Sequence, residues 1–256
     1  MPGQILNMTK KIYVGTSGYN YAHWINKFYP KDIPQKMRLE FYTQHFNSVE
    51  LNVTFYRLPK DTVFQNWYKR TPSDFRFVIK GSRFITHIKR LKDVGEPLKL
   101  FMQRAAHLKN KLTCVLWQTP PNLSYDASRI KSFIKHLKKW PRYLYSFEFR
   151  NESWFNEELY DMLKGNNINL CTADSPSYPY KEILTSNFIY LRFHGEKKLY
   201  GSKYSPSELK KWEGKSAMWM KDRNILFAFF NNDAYGFAVE NALYFQKLLG
   251  KWKTTN

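Results

Sequence analysis

Short apolar runs recur along the chain, and most of them end on polar residues. Residues 11–15, 48–52, 75–80, 113–118, 168–172, 187–193 and 225–230 read as buried strands, with a further strand inside 143–150. Between them lie segments with helical spacing. Residues 35–46 offer Met37, Leu39, Phe41, Tyr42 and Phe46 to an inner face, and 126–139 offer Ile130, Phe133, Ile134 and Leu137. Asp61 is placed to cap a helix that runs to Arg70 and stops at Thr71-Pro72. Further helices are expected at 97–108, at 156–164 with Gly165 as C-cap, after Ser205-Pro206, and at 236–249. Strands that alternate with helices predict an α/β protein. The economical form is a single-domain TIM-type (β/α)8 barrel over 11–250, with 1–10 as a leader and 251–256 as a polar tail. An open doubly wound sheet is the alternative. Gly15-Thr16-Ser17-Gly18 lacks the GxGxxG spacing that such a sheet uses for a dinucleotide.

The polar residues at the strand ends carry the candidate chemistry. Arg192 and His194 close the run Phe188-Ile189-Tyr190-Leu191 and, two apart, share one side of a strand. Glu50 and Asn52 stand likewise, as do Glu148 and Arg150, while Asn231 and Asp233 follow Phe227-Ala228-Phe229-Phe230. Buried carboxylates are costly unless paired or used, so Glu50 and Glu148 are the acid/base candidates, with His194 as a third. The bland reading is a structural ion pair, such as Glu148 with Arg192, plugging the barrel. Arg150 and Arg192 have the fork that grips phosphate or carboxylate, and Lys80 adds charge or a nucleophile. Ser17, Tyr19, Asn52, Asn231 and Asp233 complete the expected binding set. A divalent cation held by Glu50, Glu148, Asp174, His194 and Asp233 is a weaker alternative, because two arginines in the same mouth oppose it. No metal or other cofactor is therefore assigned. Aromatic residues near the strand ends, among them Tyr21, Trp24, Phe55 and Trp117, suit a ligand with a ring, although packing of loops on the rim explains any one of them.

Composition narrows the classes. The chain has 256 residues, 43% of them hydrophobic and 18% aromatic, which argues against disorder. No apolar run approaches the roughly 20 residues of a membrane span. Cys114 and Cys171 lie in apolar runs without zinc spacing and read as reduced, buried thiols of a cytoplasmic protein. The net charge of +20 favours anionic partners, either a small phosphorylated ligand or nucleic acid. Lysines spread along the whole chain are equally consistent with compositional bias.

Several ordered motifs resemble one known family. They are Gly15-Thr16-Ser17-Gly18-Tyr19 with Tyr21, Trp24 and Phe28-Tyr29-Pro30, then Val49 through Pro59 (VELNVTFYRLP). Thr86-His87 with Arg90-Leu91, Trp117-Gln118 with Pro120-Pro121, and Glu148-Phe149-Arg150 with Trp154 follow. Arg192-Phe193-His194-Gly195 and Phe230-Asn231-Asn232-Asp233 close the series. Together they resemble the YecE-like family, a domain of unknown function. The resemblance implies a TIM-type barrel, similar in shape to sugar isomerases and to endonucleases that act at abasic sites. It implies no reaction. The residues themselves favour a hydrolase- or isomerase-type enzyme acting on an anionic sugar or nucleotide. A nucleic-acid-binding protein, a metal-assisted nuclease and a non-catalytic ligand-binding barrel stay open, as does the oligomeric state.

Overall fold

Each apolar run foreseen as a strand supplies one position in a ring of parallel strands. The architecture is that of a computed structural model, which describes residues 10–250. The strands are β1 (Lys11–Thr16), β2 (Ser48–Leu51), β3 (Arg76–Lys80), β4 (Leu112–Gln118), β5 (Leu144–Glu148), β6 (Asn169–Leu170), β7 (Thr172–Asp174), β8 (Phe188–Phe193) and β9 (Ile225–Phe230). The order β2-β3-β4-β5-β6 forms one run and β7-β8-β9-β1 another. β6 and β7 share the sixth position of the ring: the chain steps across at Cys171, whose N–H still donates to Phe147 O at 2.8 Å. A parallel bridge between Ser17 and Glu50 joins β1 to β2 and closes the barrel. Of the expected leader and tail, all but Lys10 lie outside the described residues.

Side chains complete the two places where the strand ladder fails. Between β1 and β2, Asn47 accepts from Val14 N–H at 3.1 Å and donates to Ile12 O at 2.7 Å. The Tyr42 hydroxyl then accepts from Thr16 N–H at 2.9 Å and donates to Ser48 O at 3.2 Å. Gly15 is needed here, since a Cβ would lie 2.1 Å from Ser48 O. Between β6 and β8, Asn169 donates to Phe188 O at 3.0 Å while Thr185 Oγ1 accepts from Leu170 N–H at 2.8 Å. Each bond contributes about 1 kcal/mol net, and its loss would strand a buried backbone group.

The crossovers are α1 (Arg38–Thr43), the short turn α2 (Val53–Tyr56), α3 (Asp61–Lys69), α4 (Gly95–Ala105), α5 (Ala127–Leu137), α6 (Glu157–Lys164), α7 (Pro206–Trp219) and α8 (Phe237–Gly250). The inner face expected for α5 is buried as Ile130, Phe133, Ile134 and Leu137. Asp126 caps α5, and a Ser205–Glu208 capping box opens α7. One expectation is corrected. Asp61 does not cap α3: Lys60 holds the N-cap position, and Asp61 faces Arg104 and His107. Gly165 does hold the C-cap position of α6, in right-handed backbone at φ −62°, and the left-handed residue that follows is Asn167 at φ 50°. The 35–46 helix also begins with a 3-10 turn at Gln35–Met37.

The period of two along each strand sorts residues into two layers. Outward residues such as Val49, Phe77, Val115, Phe147, Leu191 and Ala228 pack under the helices. Inward residues of the lower barrel form a separate apolar plug: Tyr13, Val78, Cys114, Leu116, Phe188, Phe227 and Phe229. Cys114 and Cys171 are free and buried, as expected, and Cys171 lines this interior. The inward positions nearer the strand C-termini are filled differently.

Candidate functional site

Arg192 fills the centre of the upper barrel, fully buried. It lies two residues beyond Tyr190 on the inward face of β8, which aims its guanidinium across the barrel. Its Nε donates to Glu50 Oε2 at 3.0 Å and its Nη2 to Glu50 Oε1 at 2.6 Å, a bidentate pair between residues 142 positions apart. The remaining Nη1 reaches Glu148 Oε2. Glu50 also accepts from Ser17 Oγ at 2.7 Å and from Tyr190 OH at 2.6 Å. Its lone-pair positions are therefore filled from within the barrel. Burial alone would raise both carboxyls. The charge and hydrogen bonds of Arg192 overcome this and hold Glu50 below the usual carboxylate range. Glu148, which also faces Arg150 and His194, is held well below that range. Both are carboxylates at neutral pH.

Above this pair the network opens towards the mouth. Arg150, just past the end of β5, donates from Nε to Glu148 Oε1 at 2.8 Å and from Nη2 to Tyr200 OH at 3.4 Å. Its guanidinium rests on the Tyr178 ring, 4.1 Å from the centroid. His194 Nε2 stands 3.5 Å from the same Glu148 Oε1, and Asn231 meets His194 Nδ1 at 3.1 Å. Nε2 thus faces both an acceptor, Glu148 Oε1, and a donor, Arg192 Nη1 at 3.4 Å. Burial, only partly opposed by Glu148, pushes the His194 pKa down to about 4, so the ring is neutral at pH 7. Gly195 lets the chain turn away at once, at φ +99°, where a Cβ would meet Lys198 O at 2.6 Å. The loop so formed returns Tyr200 (φ 62°) edge-on to His194.

Lys80 ends β3 on the same inward face. Its Nζ lies 4.2 Å from the centroid of the Phe55 ring. It has no carboxylate partner among the described residues, because Glu50 and Glu148 are committed to the arginines. Burial, then Arg192 and Arg150 against the weaker pull of Glu148 and Glu50, brings its pKa down to about 7. His87 belongs to the same cationic neighbourhood, edge-on to Phe55, with its pKa lowered to about 4 by burial and by Lys80.

The structure thus brings together Ser17, Glu50, Lys80, Glu148, Arg150, Arg192, His194 and Asn231. It does not bring in the others. Asp233 is turned to the rim, where Trp24 Nε1 donates to it at 2.8 Å and His23 meets it at 2.9 Å. Tyr19 accepts from Trp67 Nε1 at 3.1 Å and, with Asn52, lines a side cavity of about 410 Å³ between the first two strand-end loops. Asp174 lies among Tyr204, Tyr180 and Trp212. The five residues weighed as cation ligands are therefore not one cluster, and no group of three such side chains converges among the described residues. Tyr190, Tyr200, Tyr178 and His87 are partners that the reading of the sequence left unassigned, and Phe55, weighed there as a ring-stacking residue, seats Lys80 instead. Only Tyr190 had a usable signal, since it lies two residues before Arg192 on one strand face.

No helix of the described residues is long and apolar enough to cross a membrane. The sequence profile described as "Protein of unknown function DUF72" matches residues 13–256. The UPF0759 protein YunF of Bacillus subtilis is 26% identical over 275 residues, covering 93% of this chain and 94% of the relative. The UPF0759 protein YecE of Escherichia coli K12 is 28% identical over 145 residues, covering 56% of this chain and half of its own length. A crystal structure of a DUF72 family protein from Thermotoga maritima superposes with a TM-score of 0.82 at 30% identity, covering 94% of this chain and 99% of the other. Fold, motifs and relatives agree: the chain belongs to the DUF72 family of proteins of unknown function.

Proposed function

We propose that this barrel is an enzyme that holds a small anionic ligand at its C-terminal mouth and acts on it by proton transfer. One observation carries the reading. Glu50, Lys80, Glu148, Arg150, Arg192 and His194 are all buried or nearly so at the end of the barrel where such folds place their active sites, while the other end is apolar. Replacing buried ion pairs with apolar groups is often neutral or stabilising, so stability alone does not account for the arrangement. Two arginines balance the two carboxylates, and Lys80, with a pKa of about 7, adds positive charge when an anion enters to hold its proton. A phosphate or carboxylate is such an anion, gripped by Arg150, the more exposed of the two arginine side chains at 9% against 0% for Arg192. Glu148 and His194 share an edge and form the proton-handling pair. Glu50, sealed beneath Arg192, acts as a positioning residue. The ligand class that fits is a sugar phosphate or nucleotide, and the reaction is of hydrolase or isomerase type.

Thermal unfolding of the purified chain with inorganic phosphate, ribose 5-phosphate, AMP and a short oligonucleotide tests this. A small phosphate compound should raise Tm, and Arg150→Met should abolish the rise. The reading fails if no small anion shifts Tm. The net charge of +20 supports a second reading, nucleic-acid binding. It predicts a shift with the oligonucleotide alone, falling steeply with salt.

A further inference from the structure

Two buried lysines in this molecule invite opposite conclusions. Lys111 is 5% exposed, and its Nζ donates to Tyr68 O at 2.7 Å, Thr71 O at 2.6 Å and Thr71 Oγ1 at 3.1 Å. That is a saturated ammonium with a structural task. Lys80 is 8% exposed, and its Nζ is paired with no protein acceptor among the described residues but stays open to the mouth. The Phe55 ring cushions it, and the carboxylates of its neighbourhood are held by Arg192 and Arg150. A structural cation is not left in this state. A reactive amine is, because an apolar seat beside other cations favours the free base.

We propose that Lys80 is a covalent nucleophile whose Nζ condenses with the carbonyl carbon of a small aldehyde or ketone bearing an anionic group. The anionic part of this inference rests on the reading of the mouth given above, with Arg150 as the anion's partner. The step is balanced. The Nζ lone pair forms the N–C bond while the C=O π pair moves to oxygen. As the C=N bond forms the nitrogen gives up its two hydrogens, which balance the two that the oxygen takes up before it leaves as water, one further proton makes the imine cationic, and no oxidant or reductant is needed. The protonated imine draws electrons from the neighbouring carbon, so a C–H or C–C bond next to the original carbonyl is labilised.

The groups that set the amine's state come from three strands: Arg192 of β8 and Arg150 after β5 oppose protonation, Glu148 of β5 and Glu50 of β2 favour it. His87, in the turn after β3, joins the two arginines in cationic surroundings only below its pKa of about 4.

Glyoxylate, an anionic aldehyde, and propionaldehyde, a neutral one, test the inference. Each is incubated with the whole protein at pH 7 in sodium cyanoborohydride, which reduces only the imine, and the labelled lysines are located by peptide mass spectrometry. Lys80 should be labelled about tenfold or more faster than Lys99, which is 57% exposed. The Lys80 labelling rate should rise with a midpoint near pH 7, and inorganic phosphate should slow labelling by glyoxylate. Labelling of Lys80 no faster than Lys99 with either aldehyde overturns the inference. Fast labelling by both aldehydes at equal rates keeps the nucleophile and overturns the anionic substrate. A phosphate-induced rise in Tm that persists in Lys80→Met, alongside slow labelling of the wild type, keeps the anion site and overturns the nucleophile.

Discussion

The barrel interior is built twice, once for each end. Near the strand N-termini it is an aromatic stack: Tyr13 lies 5.2 Å from Phe227, ring to ring, and Phe188 meets Phe227 edge-on at 6.1 Å. Near the C-termini, at inward positions of β2, β3, β5 and β8 and just past the end of β8, the space is filled by Arg192, two glutamates, a lysine and a histidine. The backbone does not impose this change, since both halves use the same pleat. Apolar filling gains free energy on burial and needs only shape, whereas the charged half forgoes that gain and demands partners for every atom. The charged half is therefore the costlier one to build, which the proposed function of the mouth would account for.

The sharpest break in this comparison is Arg192→Met. It leaves Glu50 and Glu148 buried without their shared cation, and a loss of about 3–5 kcal/mol is expected. Urea titration followed by fluorescence measures it. In the lower half, Phe227→Ala should cost a similar amount through a cavity. The two should part in a second measurement: Phe227→Ala keeps the ligand-induced Tm shift, and Arg192→Met loses it. An Arg192→Met protein as stable as the wild type would show that the upper half is not an obligatory network.

The lysines sharpen the contrast. Lys111→Met strands Tyr68 O and Thr71 O and should destabilise by about 2 kcal/mol. Lys80→Met removes a poorly compensated charge and should raise stability by about 1 kcal/mol at pH 7. Opposite signs from the same substitution at two buried sites are the expected outcome, read from the urea midpoints. A loss at both positions would mean that Lys80 has a structural partner after all.

Much of this division was legible in the chain. The apolar runs gave all the strand positions, and the i, i+2 pairs Arg192/His194 and Glu148/Arg150 put their side chains on the inward face correctly. The Glu148–Arg192 ion pair, weighed as the bland alternative, is present. What the chain could not show is who shares with whom. Arg192 joins Glu50 across 142 positions and Glu148 across 44, and only barrel closure decides that one guanidinium serves both. Parity also failed where a strand ends: Asp174 follows the step at Cys171 and faces away from the inward row, and Asp233 lies in the loop beyond β9, within reach of Trp24. The isolation of Lys80 was illegible for the same reason, since it is a consequence of carboxylates committed elsewhere.

The last contrast is in the response to pH, and its sign separates the two halves once more. His194 and His87 have folded pKa values near 4, below the usual 6.5. As pH falls below 6.5 the unfolded chain takes up protons that the folded chain refuses, so stability falls, by at most about 1.4 kcal/mol per pH unit for each ring. Lys80 acts at the other end of the scale. Its folded pKa of about 7 lies below the usual 10.5, so the unfolded chain holds the extra proton between those values and stability rises with pH across that window. His194→Asn should flatten the acid limb and leave the alkaline one intact, and Lys80→Met should do the reverse. The lower barrel adds no group to the acid limb among the described residues, and its buried Cys114 and Cys171, whose thiols burial pushes well above their usual range, oppose the alkaline rise once the unfolded thiols ionise. Urea midpoints from pH 4.5 to 9.5 therefore resolve the two ends of one barrel without any ligand. A wild-type curve flat below pH 6.5 would mean that His194 is charged in the folded protein, and the proton pair with Glu148 would have to be redrawn as an ion pair.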